Sequence, residues 1–364
     1  MCRQGREDQE DISQRPDSRT NSGQQGMAPP GNGPASRRGG AIWAASREWV
    51  MFNGVDCLSL MVLGGVTFAI YHSDVPLMRT FPITFSGSGD VVYPDWAYPF
   101  RGWIMPSWCS GVVAIGGPIV VYLAAQVRLK SLSDASCAVL GSITAVVLAS
   151  FFQVVLKQLV GGFRPYFLDV CMPDVNRVMA NRSGLNRVGF HGLMFTTEVC
   201  TQPDAGKLKT AITSFPSGHT SATCAGFGFV FFWLNAKLKV WADYRPAFWK
   251  LFLTLLPVLL CAIISCLLTV DAAHNWYDVV GGAVIGFTMA MASYRTSYAA
   301  LWDWRFNHVP LRQKEAFSYA PGGEDTALTL TQKAGWGGTR AWLPHHVDSA
   351  ATSTAFVADP ANEP

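Results

Sequence analysis

The sequence predicts an all-α, polytopic membrane protein with six transmembrane helices and its chemistry-bearing residues at the non-cytoplasmic helix ends. Three observations carry this. Charged residues make up only 15% of the 364 residues, against about 25% in ordinary soluble domains. The charges avoid six apolar stretches, each near the ~20 residues a bilayer crossing requires. Lys and Arg then gather on alternate connections between those stretches, the pattern that sets orientation in a membrane.

Residues 1–45 form the first element. They are rich in Gln, Ser, Gly, Asp, Arg and Pro, and such a composition buries too little surface to offset its ordering entropy, so a disordered cytoplasmic tail is expected. It lacks the apolar core of a cleaved signal peptide, so the first helix is expected to start insertion itself. The transmembrane domain is expected over residues 46–305, with spans near 50–71, 106–127, 135–156, 218–234, 248–270 and 277–294. Residues 306–364, again polar and broken by Pro and Gly, are expected to be a second disordered cytoplasmic tail.

Arg37, Arg38 and Arg47 precede the first span, and Arg128 and Lys130 follow the second. Lys237, Lys239, Arg245 and Lys250 lie between the fourth and fifth, and Arg295 and Arg305 follow the sixth. With six crossings all of these share the cytoplasmic side. The segments 73–105, 157–217 and 271–276 then face the lumen or exterior, in a membrane whose organelle the sequence does not name. The sequon Asn181-Arg182-Ser183 falls in the long one, as this topology permits. Cys171 and Cys200 share that segment. They are either a disulfide, if the side is oxidising, or two free thiols.

The net charge of +3 gives no dense basic surface, which argues against nucleic acid as a partner. Nine scattered Cys residues offer no CxxC pair and no zinc-like spacing, so no metal or other cofactor is expected. Nothing in the sequence reports the oligomeric state.

Three polar clusters stand at the ends of apolar spans, all on the predicted non-cytoplasmic side. Lys157 and Arg164 are seven residues apart, close to two helical turns, with Gly161–Gly162 positioned to open the helix between them. A snorkelling Lys with a flanking Arg is the plainer reading. Ser214-Phe-Pro216-Ser217-Gly218-His219 directly precedes an apolar helix, whose first-turn amides suit an anion such as phosphate. Its plainer reading is an ordinary capped helix beside an exposed His. His274 and Asp278 are four apart and share a helix face, so the carboxylate can fix one ring nitrogen and free the other as a nucleophile. A His and an Asp at a wet helix end would be the plainer reading of that pair. Taken together the clusters supply two cations, an anion site and two histidines, which suits phosphoryl transfer through a phosphohistidine.

Lys157-x6-Arg164-Pro165, Pro216-Ser217-Gly218-His219 and His274-x3-Asp278 resemble the three motifs of the type 2 phosphatidic acid phosphatase (PAP2) superfamily of integral-membrane lipid phosphate phosphatases. The resemblance covers roughly residues 50–294. It implies metal-independent hydrolysis of a lipid phosphate such as phosphatidate, diacylglycerol pyrophosphate or lysophosphatidate. It implies phosphate binding by Lys157, Arg164, Ser217 and Gly218, with His219 as general acid, His274 as nucleophile and Asp278 as its orienting partner. One departure stands out. The family's third motif opens Ser-Arg, and counting back from His274 puts Leu268 where that Arg belongs. Arg177, Arg182, Arg187, Lys207 and Lys209 of the long segment are the candidates to replace it. The rival class is a non-catalytic membrane protein that binds anionic lipid through a degenerate phosphate site.

Overall fold

The computed structural model describes residues 34–73, 79–90, 92, 96–180, 185–311 and 317. The chain separates into Met1–Gly54 and Val55–Pro364. Helix α1 (Pro34–His72) begins in the first of these, inside the segment expected to be disordered through residue 45. The rest of that segment, residues 1–33, lies outside the described residues, as do Asn181 and Arg182.

In the second unit, α2 (Ser107–Leu129), α3 (Leu132–Val160), α7 (Gly218–Leu238), α8 (Phe248–Val270) and α9 (Trp276–Ser297) form an antiparallel bundle. Three of these starts carry a side-chain cap. The hydroxyl of Ser131 caps α3 by accepting from Asp134 N, Ser217 caps α7 by accepting from Thr220 N, and Asn275 and Asp278 form a reciprocal capping box on α9. Helix α7 packs against α2, α3, α8 and α9 and is buried over most of its length. A Cβ on Gly286 of α9 would stand 2.5 Å from the carbonyl oxygen of Ser221, so only glycine permits the α7–α9 approach.

Among the described residues, four helical segments are long and apolar enough to cross a membrane: Ser46–His72, α2, α3 and α8. Helices α7 and α9, the expected fourth and sixth spans, have the length but not the apolarity. The reason is position. Enclosed by its neighbours, α7 carries Ser, Thr, Gly and Asn for close packing, while the outward apolar surface falls to residues such as Leu58, Val112, Leu123, Phe252 and Leu259.

The segment between α3 and α7 is a folded cap rather than a plain loop. It holds α4 (Phe167–Cys171), α5 (Val175–Ala180) and α6 (Ala205–Ala211), and strand β2 (Met194–Phe195) pairs with β1 (Phe81–Pro82). Phe81, Phe163, Phe167, Phe195 and Val199 make its core, and a disulfide joins Cys171 to Cys200.

At the opposite end of the bundle, buried Lys237 pairs with Asp134 at 2.6 Å and donates to the His308 carbonyl at 3.0 Å. Lys239 bonds the Trp304 carbonyl, Asn307 and His308. Phe306 and Val309 are buried in a small cluster of their own. The packed structure therefore runs through Leu311, past the expected boundary at 305, because two buried ammonium groups need those carbonyls. Residues 312–316 and 318–364 lie outside the described residues.

Candidate active site

The fold brings the three clusters to one end of the bundle. Helix α3 stops at Gly161 (φ 62°), and Gly162 (φ 114°) continues in a backbone region that favours glycine. The turn carries Arg164 off the helix axis, so Lys157 and Arg164 do not share a helix face. Lys157 is buried, and its ammonium donates to the carbonyls of Thr213 (3.0 Å) and Ser214 (3.3 Å) beside the second cluster. Arg164 donates from Nε to Thr210 O at 2.8 Å and from Nη1 to Ala273 O at 2.8 Å. The same Nη1 stands 3.4 Å from Nε2 of His274.

His274 is buried on the short connection between α8 and α9. Its Nδ1 faces Oδ2 of Asp278 at 3.5 Å and the Ser214 hydroxyl at 3.4 Å. That carboxylate oxygen also accepts from Ser214 Oγ at 2.5 Å and from the Asn275 amide at 2.8 Å. A proton on Nδ1 directed at these acceptors leaves the Nε2 lone pair facing the guanidinium. Burial, reinforced by the positive Arg164, holds the pKa of His274 well below the ordinary imidazole value, so the ring is neutral.

His219, in the first turn of α7, has its ring centroid 6.5 Å from that of His274. Its Nε2 bonds the Met105 carbonyl at 3.0 Å, and its ring lies nearly parallel to the Trp103 indole. Ser217 is fully buried. Its hydroxyl oxygen accepts from Thr220 N and Thr220 Oγ1, at 3.4 and 3.1 Å, and its amide donates to Asp278 O at 3.0 Å. Gly218 sits against the side chain of Gln153, whose Nε2 would lie 3.3 Å from a Cβ there. The close neighbour is thus a protein amide rather than open space for a ligand.

Leu268 is fully buried on α8, and its carbonyl accepts from the amides of Ala273 and His274. Among the described cations proposed to replace an Arg there, none bonds a site residue. Arg177 donates to Cys200 O, Arg187 to Val178 O, and Lys209 to the carbonyls of Tyr71 and Ser73, while Lys207 is exposed. Among these described cations, Arg177 and Arg187 bond the cap's own backbone, Lys209 reaches the end of α1, and Lys207 lies exposed. Sequence reading missed Trp103 and Met105, which precede a different helix and match no motif. It quoted Ser214 but gave it no role. Among the described residues, no group of three His, Cys, Asp or Glu side chains could hold a metal ion.

The PAP2 superfamily profile matches residues 138–302, which contain all three clusters. Lipid phosphate phosphatase 2 of Arabidopsis thaliana is 30% identical over 215 residues, 59% of this chain and 69% of that protein. The chain belongs to the PAP2 superfamily. The probable lipid phosphate phosphatase 4 of the same plant is 29% identical over 320 residues, 86% of this chain and 95% of that one. Among other PAP2 relatives, diacylglycerol pyrophosphate phosphatase 1 of Saccharomyces cerevisiae is 31% identical over 154 residues, 42% of this chain and 49% of its own length. No solved structure matches significantly. Membership, with the apolar helices, makes this an integral membrane protein of a phosphatase family.

Proposed function

We propose that this PAP2 protein hydrolyses a lipid phosphate monoester or pyrophosphate, without a metal, through a phosphohistidine on His274. One observation carries the reading. Nε2 of His274 stands 3.4 Å from the Arg164 guanidinium, while Asp278 and Ser214 hold the opposite nitrogen. A phosphoryl group entering there meets a nucleophile and a cation together. The Nε2 lone pair forms the P–N bond, the bond from phosphorus to the leaving oxygen breaks, and His219 gives that oxygen a proton. Arg164 and Lys157, with the first-turn amides of α7, take up the negative charge on the remaining oxygens. Ser217 still has its own hydroxyl proton to donate, since its oxygen is the acceptor for Thr220. Water deprotonated by His219 then attacks phosphorus, releasing phosphate and restoring His274.

Substrate class follows from depth: a site at helix ends beside hydrocarbon meets amphiphiles whose head groups lie at that level. Short connections join α2 to α3, α7 to α8 and α8 to α9, and the ~1.5 Å rise per residue makes α7 and α9 long enough to span a ~30 Å core. That supports six crossings with the site on the non-cytoplasmic side, as does the Cys171–Cys200 disulfide, which suits an oxidising compartment. The buried Leu268 favours the second reading, a phosphate binder without turnover. Purified protein in detergent with EDTA separates them. It is expected to release phosphate from phosphatidate, and His274→Ala is expected not to. Binding without release by the wild type would establish the second reading instead.

A further inference from the structure

Residues 96–105 run irregularly from the β1 region to α2 beside the site. Their anchors reach every cluster. Trp96 O accepts from Leu168 N at 2.8 Å, Tyr98 N donates to Pro165 O at 3.1 Å, and Phe100 N donates to Asp169 Oδ2 at 2.8 Å, all beside Arg164. Ile104 N donates to Asp271 Oδ2 at 2.9 Å, three residues before His274. Met105 O holds Nε2 of His219 at 3.0 Å. Backbone groups make most of these bonds, so the path of the segment depends little on the side chain at position 103.

That side chain nevertheless meets two of the working groups. The Trp103 indole lies 5.9 Å from the His219 ring at 15°, a near-parallel stack. The Arg164 guanidinium carbon sits 4.8 Å from the same indole, inside cation–π range, and Tyr166 meets it edge-on at 6.5 Å. Trp103 is only half-buried, so part of the side chain remains accessible.

We infer that Trp103 is a positioning and specificity residue, resting on the phosphatase reading: it fixes the His219 ring for protonation and offers the leaving alcohol an apolar wall. The indole covers both the proton donor and the cation, so a departing oxygen that takes its proton from His219 leaves alongside Trp103. An acylglycerol gains from that contact by burying apolar surface. A small hydrophilic alcohol such as glycerol does not. The site therefore selects esters by the apolarity of what departs, while the phosphate itself is read by Arg164 and Lys157.

The test compares full-length wild type, Trp103→Ala, Trp103→Leu and Trp103→Phe in detergent on three esters. Dioctanoyl phosphatidate has an apolar, poor leaving group; glycerol 3-phosphate a hydrophilic, poor one; p-nitrophenyl phosphate a good one that needs little acid help. Trp103→Ala and Trp103→Leu are expected to lower kcat on both alkyl phosphates by about tenfold or more and to spare p-nitrophenyl phosphate, since general acid catalysis is worth about 10²–10⁴-fold. Trp103→Ala should also raise KM for dioctanoyl phosphatidate and leave that for glycerol 3-phosphate unchanged. Trp103→Phe, which keeps a flat ring, should recover most of both losses. Uniform loss on all three esters, or none, in variants that unfold at the wild-type temperature would overturn the inference and leave the phosphatase reading standing. A wild type inactive on every ester would overturn both. Should Trp103→Ala not fold, the Leu and Phe variants carry the same comparison.

Discussion

Nδ1 of His274 lies 3.5 Å from Oδ2 of Asp278, and the Ser214 hydroxyl contacts both, 3.4 Å from the ring and 2.5 Å from the carboxylate. The orienting group is therefore a pair, a carboxylate set by its capping box and a hydroxyl from the start of the second motif. Ser214 is fully buried, with no water-facing alternative for its hydroxyl.

Removing that hydroxyl should cost catalysis. Ser214→Ala is expected to lower phosphate release by about tenfold to a hundredfold, the rate equivalent of the roughly 1.5–3 kcal/mol that a hydrogen bond to a charged group is worth. Ser214→Thr, which keeps the hydroxyl, should recover part of the loss. Steady-state rates on phosphatidate decide it, and an unchanged rate in Ser214→Ala would leave Asp278 as the sole orienter.

The two histidines should divide the labour. His274→Ala is expected to abolish both phosphate release and any trapped phospho-enzyme. His219→Ala should slow formation of that intermediate strongly for alkyl phosphates and weakly for p-nitrophenyl phosphate, where leaving-group protonation matters less. Equal slowing on both would remove His219 as the acid.

Acid should destabilise the protein through His274. Its folded-state pKa is depressed by burial and by Arg164, while the unfolded chain titrates near the ordinary value of about 6.5. Between those values only the unfolded chain takes up the proton, so stability rises with pH there and falls on acidification. Going from about pH 7 to about pH 5.5, this group alone should cost about 1 kcal/mol. Thermal unfolding in detergent should show a steeper loss over that range for wild type than for His274→Gln; parallel losses would mean that His274 charges freely in the fold.

The helices and the meeting of three motifs at one end were legible in the sequence, because apolar length and alternating basic connections constrain a membrane chain strongly. Helices α7 and α9 escaped a plain apolarity test because α7 is enclosed by protein and α9 meets it through small residues such as Gly286. The basic residues between the fourth and fifth spans were read for orientation alone, yet Lys237, Lys239 and Lys250 are buried. Only tertiary contact reveals that Lys237 neutralises Asp134 from 103 residues away. Trp103 was illegible for the same reason. It reaches His219 and Arg164 through a segment with no periodicity to read.

Topology can be tested without activity. Sealed microsomes treated with protease are expected to lose both termini and to retain the cap between α3 and α7, while the Cys171–Cys200 disulfide forms without added oxidant. Cleavage inside the cap of intact vesicles would put the site on the cytoplasmic side.

The last prediction concerns Leu268. A guanidinium at this position would give a bidentate, charge-assisted contact to a transition state whose equatorial oxygens carry the charge. Lacking one such donor typically costs about 2.7–4 kcal/mol, or roughly 10²–10³ in rate. The described candidates to supply it from the cap are bound to backbone carbonyls elsewhere or exposed, so among the described residues none of them fills the role. Leu268→Arg is therefore expected to raise phosphate release by about tenfold or more, provided the guanidinium finds the substrate phosphate. The position is fully buried, and an Arg left unpaired there would be strongly destabilising. Vanadate, as a phosphate mimic, should accordingly raise the unfolding temperature of Leu268→Arg more than that of wild type. A fast wild type made slower by Leu268→Arg, with no extra stabilisation by vanadate, would mean that another residue already fills the role.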